Sequence, residues 1–164
     1  MKQYPRRHLV ARLALAVLGA CAAAVPAGAQ PKGPQVHMIY MGGDDCPPCV
    51  AWRREQLPKL QQSDVFRSIR FSYVNKSIRS AVPVSWLLPD EVKLYKDALD
   101  RAGGGNIGSP QTAIMVDGKI YDYFWGARAA PDIENMILAI RNHTPYPYPR
   151  CVRRAAHWAC EDGG

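Results

Sequence analysis

Cys46-Pro47-Pro48-Cys49 is the feature that most limits how this chain folds. It follows an apolar, Ile- and Val-containing run from Val36 to Met41 that reads as a strand and is stopped by Gly42-Gly43. It opens a stretch, Pro47 to Gln62, that suits a helix, because proline is tolerated in the first turn and Trp52, Leu57 and Leu60 line one side. Pro58 is expected to kink that helix. A helix start carries unpaired N–H groups and partial positive charge, which favour a thiolate, the form of cysteine that attacks disulfides. The two-residue spacer lets a second thiol resolve the mixed disulfide formed by the first. Attack is assigned to Cys46, as the outer and more exposed residue, and resolution to Cys49, one turn deeper.

Other uses of C-x-x-C fit less well. A c-type haem needs His after the second cysteine, where Val50 stands. Structural zinc needs four ligands, and neither a second C-x-x-C nor a close His pair is present. A soft-metal carrier using the two thiolates stays open. So does an inert bridge, although a stabilising disulfide usually closes a longer loop.

The N-terminus reads as an export address. Lys2, Arg6, Arg7 and Arg12 precede an apolar run from Leu13 to Ala24, and Pro26 precedes Ala27-Gly28-Ala29, which places a cut after Ala29. The run is short of the ~20 residues that span a bilayer. Leu18-Gly19-Ala20-Cys21 offers the alternative of a lipoprotein anchored through Cys21, with a shortened apolar region. Over half of the net charge of +7 lies in this leader, so a nucleic-acid partner loses most of its support. Of 5 cysteines, Cys21 leaves with the leader or its lipid. Cys46 with Cys49 and Cys151 with Cys160 remain, an even set expected to pair in an oxidising compartment. One straight helix would hold Cys151 and Cys160 about 13.5 Å apart, beyond the ~4.4–6.8 Å of a bridge, so the tail must bend to join them.

A length of 164 residues with 48% hydrophobic and 21% charged residues fits one soluble globular domain. After a linker at 30–34, the domain spans 35–142, and 143–164 is a C-terminal extension. Ile69 to Val74 alternates as a half-buried strand, with Ile69, Phe71 and Tyr73 apolar against Arg70 and Ser72. Pro89 to Arg101 forms a helix on Val92, Leu94, Tyr95, Ala98 and Leu99, ended by Gly103-Gly104-Gly105. Thr112 to Val116 and Lys119 to Trp125 flank Asp117-Gly118, a strong hairpin signal. Pro131 to Arg141 carries Ile133, Met136, Ile137 and Ile140 on one helix face. The order β-α-β-α-β-β-α predicts an α/β fold: a central mixed sheet, its first two strands parallel, flanked by helices.

A strand running into Cys46-Pro47-Pro48-Cys49, then Ile107-Gly108-Ser109-Pro110-Gln111-Thr112 leading into a hairpin with Gly126 behind it, resembles the thioredoxin fold over residues 35–142. The resemblance implies that Pro110 is cis and faces the disulfide, and that the Ser109 main chain pairs with substrate like an added strand. It implies an exported, periplasmic thiol:disulfide oxidoreductase acting on cysteine-containing exported proteins with a separate thiol donor or acceptor, leaning to reductase, with no cofactor and no metal ligand. Membrane attachment would come only through lipid on Cys21. The alternative class is a soft-metal (copper) carrier or a non-catalytic assembly module. The sequence departs from the family where a buried carboxylate is common, six residues before the first cysteine, since Tyr40 stands there. Asp45 replaces the usual aromatic, and Gly43-Asp44-Asp45 is expected to be an acidic, mobile approach loop of solvated acids. His37 is expected to be a half-buried structural residue, and Trp86 and Trp125 are placed by default in the core.

Overall fold

The computed structural model describes residues 33–154 and 157–161, those from 151 onward by their backbone alone. The leader, the cut after Ala29 and Cys21 lie outside the described residues. The described chain is α/β, with strands β1 (Val36–Gly42), β2 (Arg70–Asn75), β3 (Gln111–Val116) and β4 (Lys119–Trp125) in one sheet of order β2-β1-β3-β4. β1 runs parallel to β2, whereas β1 with β3 and β3 with β4 are antiparallel. This is the mixed sheet the element order predicts.

All seven residues of β1 are buried, because helices cover both faces of the central strand. On one face Met38 and Tyr40 pack with Trp52, Leu60, Phe66, Ile133, Met136 and Ile137, from α1 (Pro47–Glu55), α2 (Leu57–Gln62), α3 (Asp64–Arg67) and α6 (Ala130–Asn142). On the other, Ile39 and Met41 pack with Val74, Val92, Leu99, Met115 and Tyr123, with α4 (Asp90–Lys93) and α5 (Lys96–Gly103) above them. The hairpin turns at Asp117 (φ 49°) and Gly118 (φ 79°), the two positive φ values of a tight primed turn.

Several expectations need correction. The stretch from Pro47 to Gln62 is two short helices, α1 and α2, broken at Gln56 rather than one kinked helix, and α3 follows it. Pro58 has no N–H for the carbonyl four residues back, so α1 stops at Glu55, and Gln56 turns its side-chain oxygen to the Ala130 N–H at 3.0 Å. The 89–101 helix is split into α4 and α5, and Leu94, at the break, is 69% exposed instead of packed. In β2 the most buried residues are Ser72 and Val74 rather than Phe71 and Tyr73, because the face opposite the aromatics is covered by α4. Trp86, in a single 3-10 turn at Ser85–Leu87, is 76% exposed, and Trp125 is partly exposed at the end of β4, so neither is core.

Ser72 is buried because it has partners. Its hydroxyl donates to Glu91 Oε1 at 2.8 Å, so the 2.9 Å contact with His37 is a bond donated by His37 Nε2–H. His37 Nδ1 is then an unprotonated, buried nitrogen without a partner among the described residues. Burial, helped by Arg70, lowers the His37 pKa to about 4. The unfolded chain takes up this proton near pH 6.5 and the folded one does not until about pH 4. Stability from this group is complete above 6.5 and falls as pH drops toward 4, by on the order of 3 kcal/mol. Thermal unfolding between pH 7 and 4 should show this slope, and His37→Gln should flatten it.

Candidate functional site

β1 delivers the chain to the site. At its end Gly42 lies against Cys49, where a Cβ would stand 2.7 Å from Cys49 Sγ and 3.2 Å from the Tyr40 ring. Only glycine leaves room for the sulfur there. Cys46 is the N-cap of α1, Pro47 and Pro48 form its first turn, and Cys46 and Cys49 are bonded, with Cα atoms 5.2 Å apart. The Cys49 N–H donates to Cys46 Sγ at 3.3 Å. That N–H is shared, since it also donates to the Cys46 carbonyl at 2.9 Å, so the first sulfur lies at the N-terminal end of the helix beside a donor it holds only in part.

Cys46 is not the exposed member of the pair: both cysteines are 0% exposed, and Pro47 and Pro48 form the outer surface of the turn. The difference between them is of partner rather than of depth. Cys46 Sγ has the helix N–H, whereas Cys49 Sγ is packed on the β1 backbone.

The approach loop is anchored at both acids. Asp44 stays exposed and pairs directly with Arg53, whose guanidinium lies 5.2 Å from the Tyr73 ring centre. Asp45 accepts from Ser77 Oγ at 2.5 Å and from the Ile78 N–H at 3.2 Å, and these bonds, the Ser77 hydroxyl first, hold its carboxyl below the usual carboxylate range. Gly43 packs so closely on this junction that a Cβ would stand 2.7 Å from both Asp45 Oδ1 and the Lys76 carbonyl.

The second wall of the site is the loop before β3. The Ser109–Pro110 peptide is cis, Pro110 is buried, and its carbonyl accepts from the Gly126 N–H at 3.0 Å. Because Met41 pairs with Gln111, this loop lies at the same end of the sheet as the disulfide. Gly108 (φ 107°) ties back to Ile78 through its N–H at 2.8 Å. Where the family often has a carboxylate, Tyr40 stacks on Trp52, with ring centres 4.1 Å apart and planes 11° from parallel. Its hydroxyl is buried without a partner among the described residues, and burial raises its pKa. The Tyr73 hydroxyl donates to the Gly42 carbonyl.

Two buried residues of this wall escape sequence reading. Lys76 follows β2, with its ammonium turned to the loop before Pro110, and Gln111 donates to the Gly108 carbonyl at 2.9 Å while accepting from the Tyr123 hydroxyl at 2.5 Å. A lysine or glutamine flanking a strand looks like a solvated end unless its distant partner is known. In the tail, β5 (Arg150–Arg154) and β6 (His157–Glu161) form an antiparallel pair whose register sets Cys151 opposite Cys160. The tail therefore bends between them, and the two sulfurs lie outside the described residues.

No family model and no curated protein matches the chain. Its mixed four-strand sheet, flanking helices and bonded Cys46–Cys49 pair in C-x-x-C spacing fit a thioredoxin-like α/β arrangement.

Proposed function

We propose that the chain is an exported thiol:disulfide oxidoreductase that exchanges the Cys46–Cys49 disulfide with cysteines of other exported proteins. The observation that carries this reading is the bonded Cys46–Cys49 pair at the start of α1, with Cys46 as N-cap and its Sγ 3.3 Å from the Cys49 N–H, which it shares with the Cys46 carbonyl. In the reduced protein the same donor would stabilise a Cys46 thiolate, and Cys49 would stand within bonding reach to resolve the mixed disulfide. Ser109 and Pro110 supply the surface on which the substrate chain is laid. The compartment is the periplasm, and the electron partner is another thiol couple.

The couple leans toward reduction. Pro47 withholds one N–H from the helix start, and the Asp45 carboxylate beside Cys46 opposes its ionisation, so the thiolate is only modestly favoured. A glutathione titration is expected to fall nearer the ≈ −270 mV of thioredoxin than ≈ −120 mV, and the latter value would overturn the lean. Dithiothreitol-driven insulin reduction, run beside a copper titration of the reduced protein, tests the function itself. Turnover supports the oxidoreductase, and tight stoichiometric metal binding without turnover supports a soft-metal carrier instead.

A Cys151–Cys160 bridge belongs to the same proposal. Directly opposed residues of an antiparallel pair have Cα atoms about 4.5–5.5 Å apart, inside the ~4.4–6.8 Å a disulfide spans. Peptide mapping without reduction should recover the two cysteines in one linked peptide. Their joint replacement by serine should cost about 2–3 kcal/mol. Two free thiols would overturn this.

A further inference from the structure

Lys76 is 2% exposed, yet it carries an ammonium that a methionine of similar length would replace without the cost of burying charge. Its Nζ donates to the Gly108 carbonyl at 2.6 Å and to Ser109 Oγ at 3.0 Å, with the Ser77 carbonyl at 3.4 Å. All three acceptors are neutral, and no carboxylate is in ion-pair contact with it among the described residues. The residues after it reach the opposite wall, since Ser77 and Ile78 hold Asp45, the neighbour of Cys46. Its own N–H donates to the Gly42 carbonyl at 3.1 Å, beneath Cys49. The segment Lys76–Ile78 thus joins the cysteine turn to the loop before Pro110.

The orientation of one peptide group follows from this. The Gly108–Ser109 peptide is trans, the cis bond being the next one, so its C=O and N–H point in opposite directions. Lys76 Nζ and Gln111 Nε2 both draw the Gly108 carbonyl inward, which turns the Ser109 N–H away from them. Neither the N–H nor the C=O of Ser109 makes a hydrogen bond among the described residues. Main-chain groups in a half-buried setting are normally paired, and a fixed, unpaired one beside a strand is a place for an extended chain to add.

We propose that Lys76 is a positioning residue for substrate, locking the Gly108 carbonyl inward so that the Ser109 N–H is held out as the first pairing point for an extended polypeptide carrying the target disulfide. The inference rests on the exchange reading above and adds the residue that fixes the pairing group for the protein substrates named there. Without the ammonium only Gln111 Nε2 holds the Gly108 carbonyl, the Gly108–Ser109 peptide is less firmly fixed, and binding weakens for any substrate that must pair with it.

The test compares the full mature chain and Lys76→Met on two substrates, insulin and bis(2-hydroxyethyl) disulfide. Lys76→Met is expected to raise KM for insulin about tenfold, as for one lost charged anchor, with kcat nearly unchanged. KM for the small disulfide, which has no main chain to pair, should stay within about twofold. A KM for insulin equal to that of the unaltered chain, or equal increases for both substrates, overturns the proposal. If Lys76→Met does not fold, Lys76→Gln poses the same question, because its amide keeps a polar head but is one bond shorter and stops short of the Gly108 carbonyl, and insulin KM should rise selectively. If the unaltered chain exchanges neither disulfide, the oxidoreductase reading itself fails. Turnover of both, with insulin KM insensitive to position 76, sinks only the role of Lys76.

Discussion

Replacement of Cys46 by serine is expected to abolish disulfide exchange, and replacement of Cys49 to accumulate mixed disulfides with substrate. Both side chains are buried in the bonded form, so accessibility does not distinguish them, and the assignment rests on what each sulfur touches. Cys46 Sγ receives the Cys49 N–H at the helix start, which favours a thiolate when the bond opens. Cys49 Sγ is seated over Gly42, where no substrate sulfur can approach from the β1 side. In Cys49→Ser the attack by Cys46 proceeds but the resolving thiol is missing, so the covalent adduct persists. Non-reducing electrophoresis and mass spectrometry of chains purified with exported client proteins would show it. Adducts trapped by Cys46→Ser instead would reverse the roles.

The second large effect is expected at Tyr40. Tyr40→Ala removes a fully buried ring stacked on Trp52 and packed against Gly42, a change in the class that costs about 3–5 kcal/mol. Against a total stability of roughly 5–15 kcal/mol, that lowers the midpoint of thermal unfolding by on the order of 15 °C or unfolds the chain at ambient temperature. Tyr40→Phe should behave oppositely. It deletes a buried hydroxyl without a partner among the described residues, so stability should stay level or rise by up to about 1 kcal/mol. Exchange activity separates a further role: the phenol is protonated at neutral pH and burial makes its ionisation harder still, so Tyr40→Phe should leave turnover nearly intact. A loss of about 10²-fold, typical of a missing proton-transfer group, would show that the hydroxyl relays a proton to Cys49.

The parts legible in the sequence are those fixed by local chemistry. The apolar run of β1, the proline-filled turn at the start of α1, the Asp117-Gly118 hairpin and the Ile133, Met136, Ile137 and Ile140 stripe of α6 each state their structure within a few residues. The parts missed depend on partners far along the chain. Ser72 sits inside because His37 and Glu91 satisfy it, and Lys76 because Gly108 and Ser109 do. Apolar spacing also overstates burial, since Leu94 keeps the helical spacing yet falls at the break between α4 and α5. The depth of Cys46 and the anchoring of Asp44 by Arg53 are likewise products of packing around the turn, which no spacing rule contains.

The tail has a consequence of its own for how the molecule keeps to itself. An open sheet of order β2-β1-β3-β4 ends at β2 and β4, and an outer strand with unpaired N–H and C=O groups is a template for another chain. Along β4 that side is occupied. β5 lies against it, Arg150 covers the Tyr121 ring at 4.6 Å, and Tyr146 meets Tyr121 edge-on while its hydroxyl donates to Asp122 Oδ2 at 3.0 Å. The extension after α6 therefore lies over part of β4, so that of the two outer strands β4 carries a cover from its own chain.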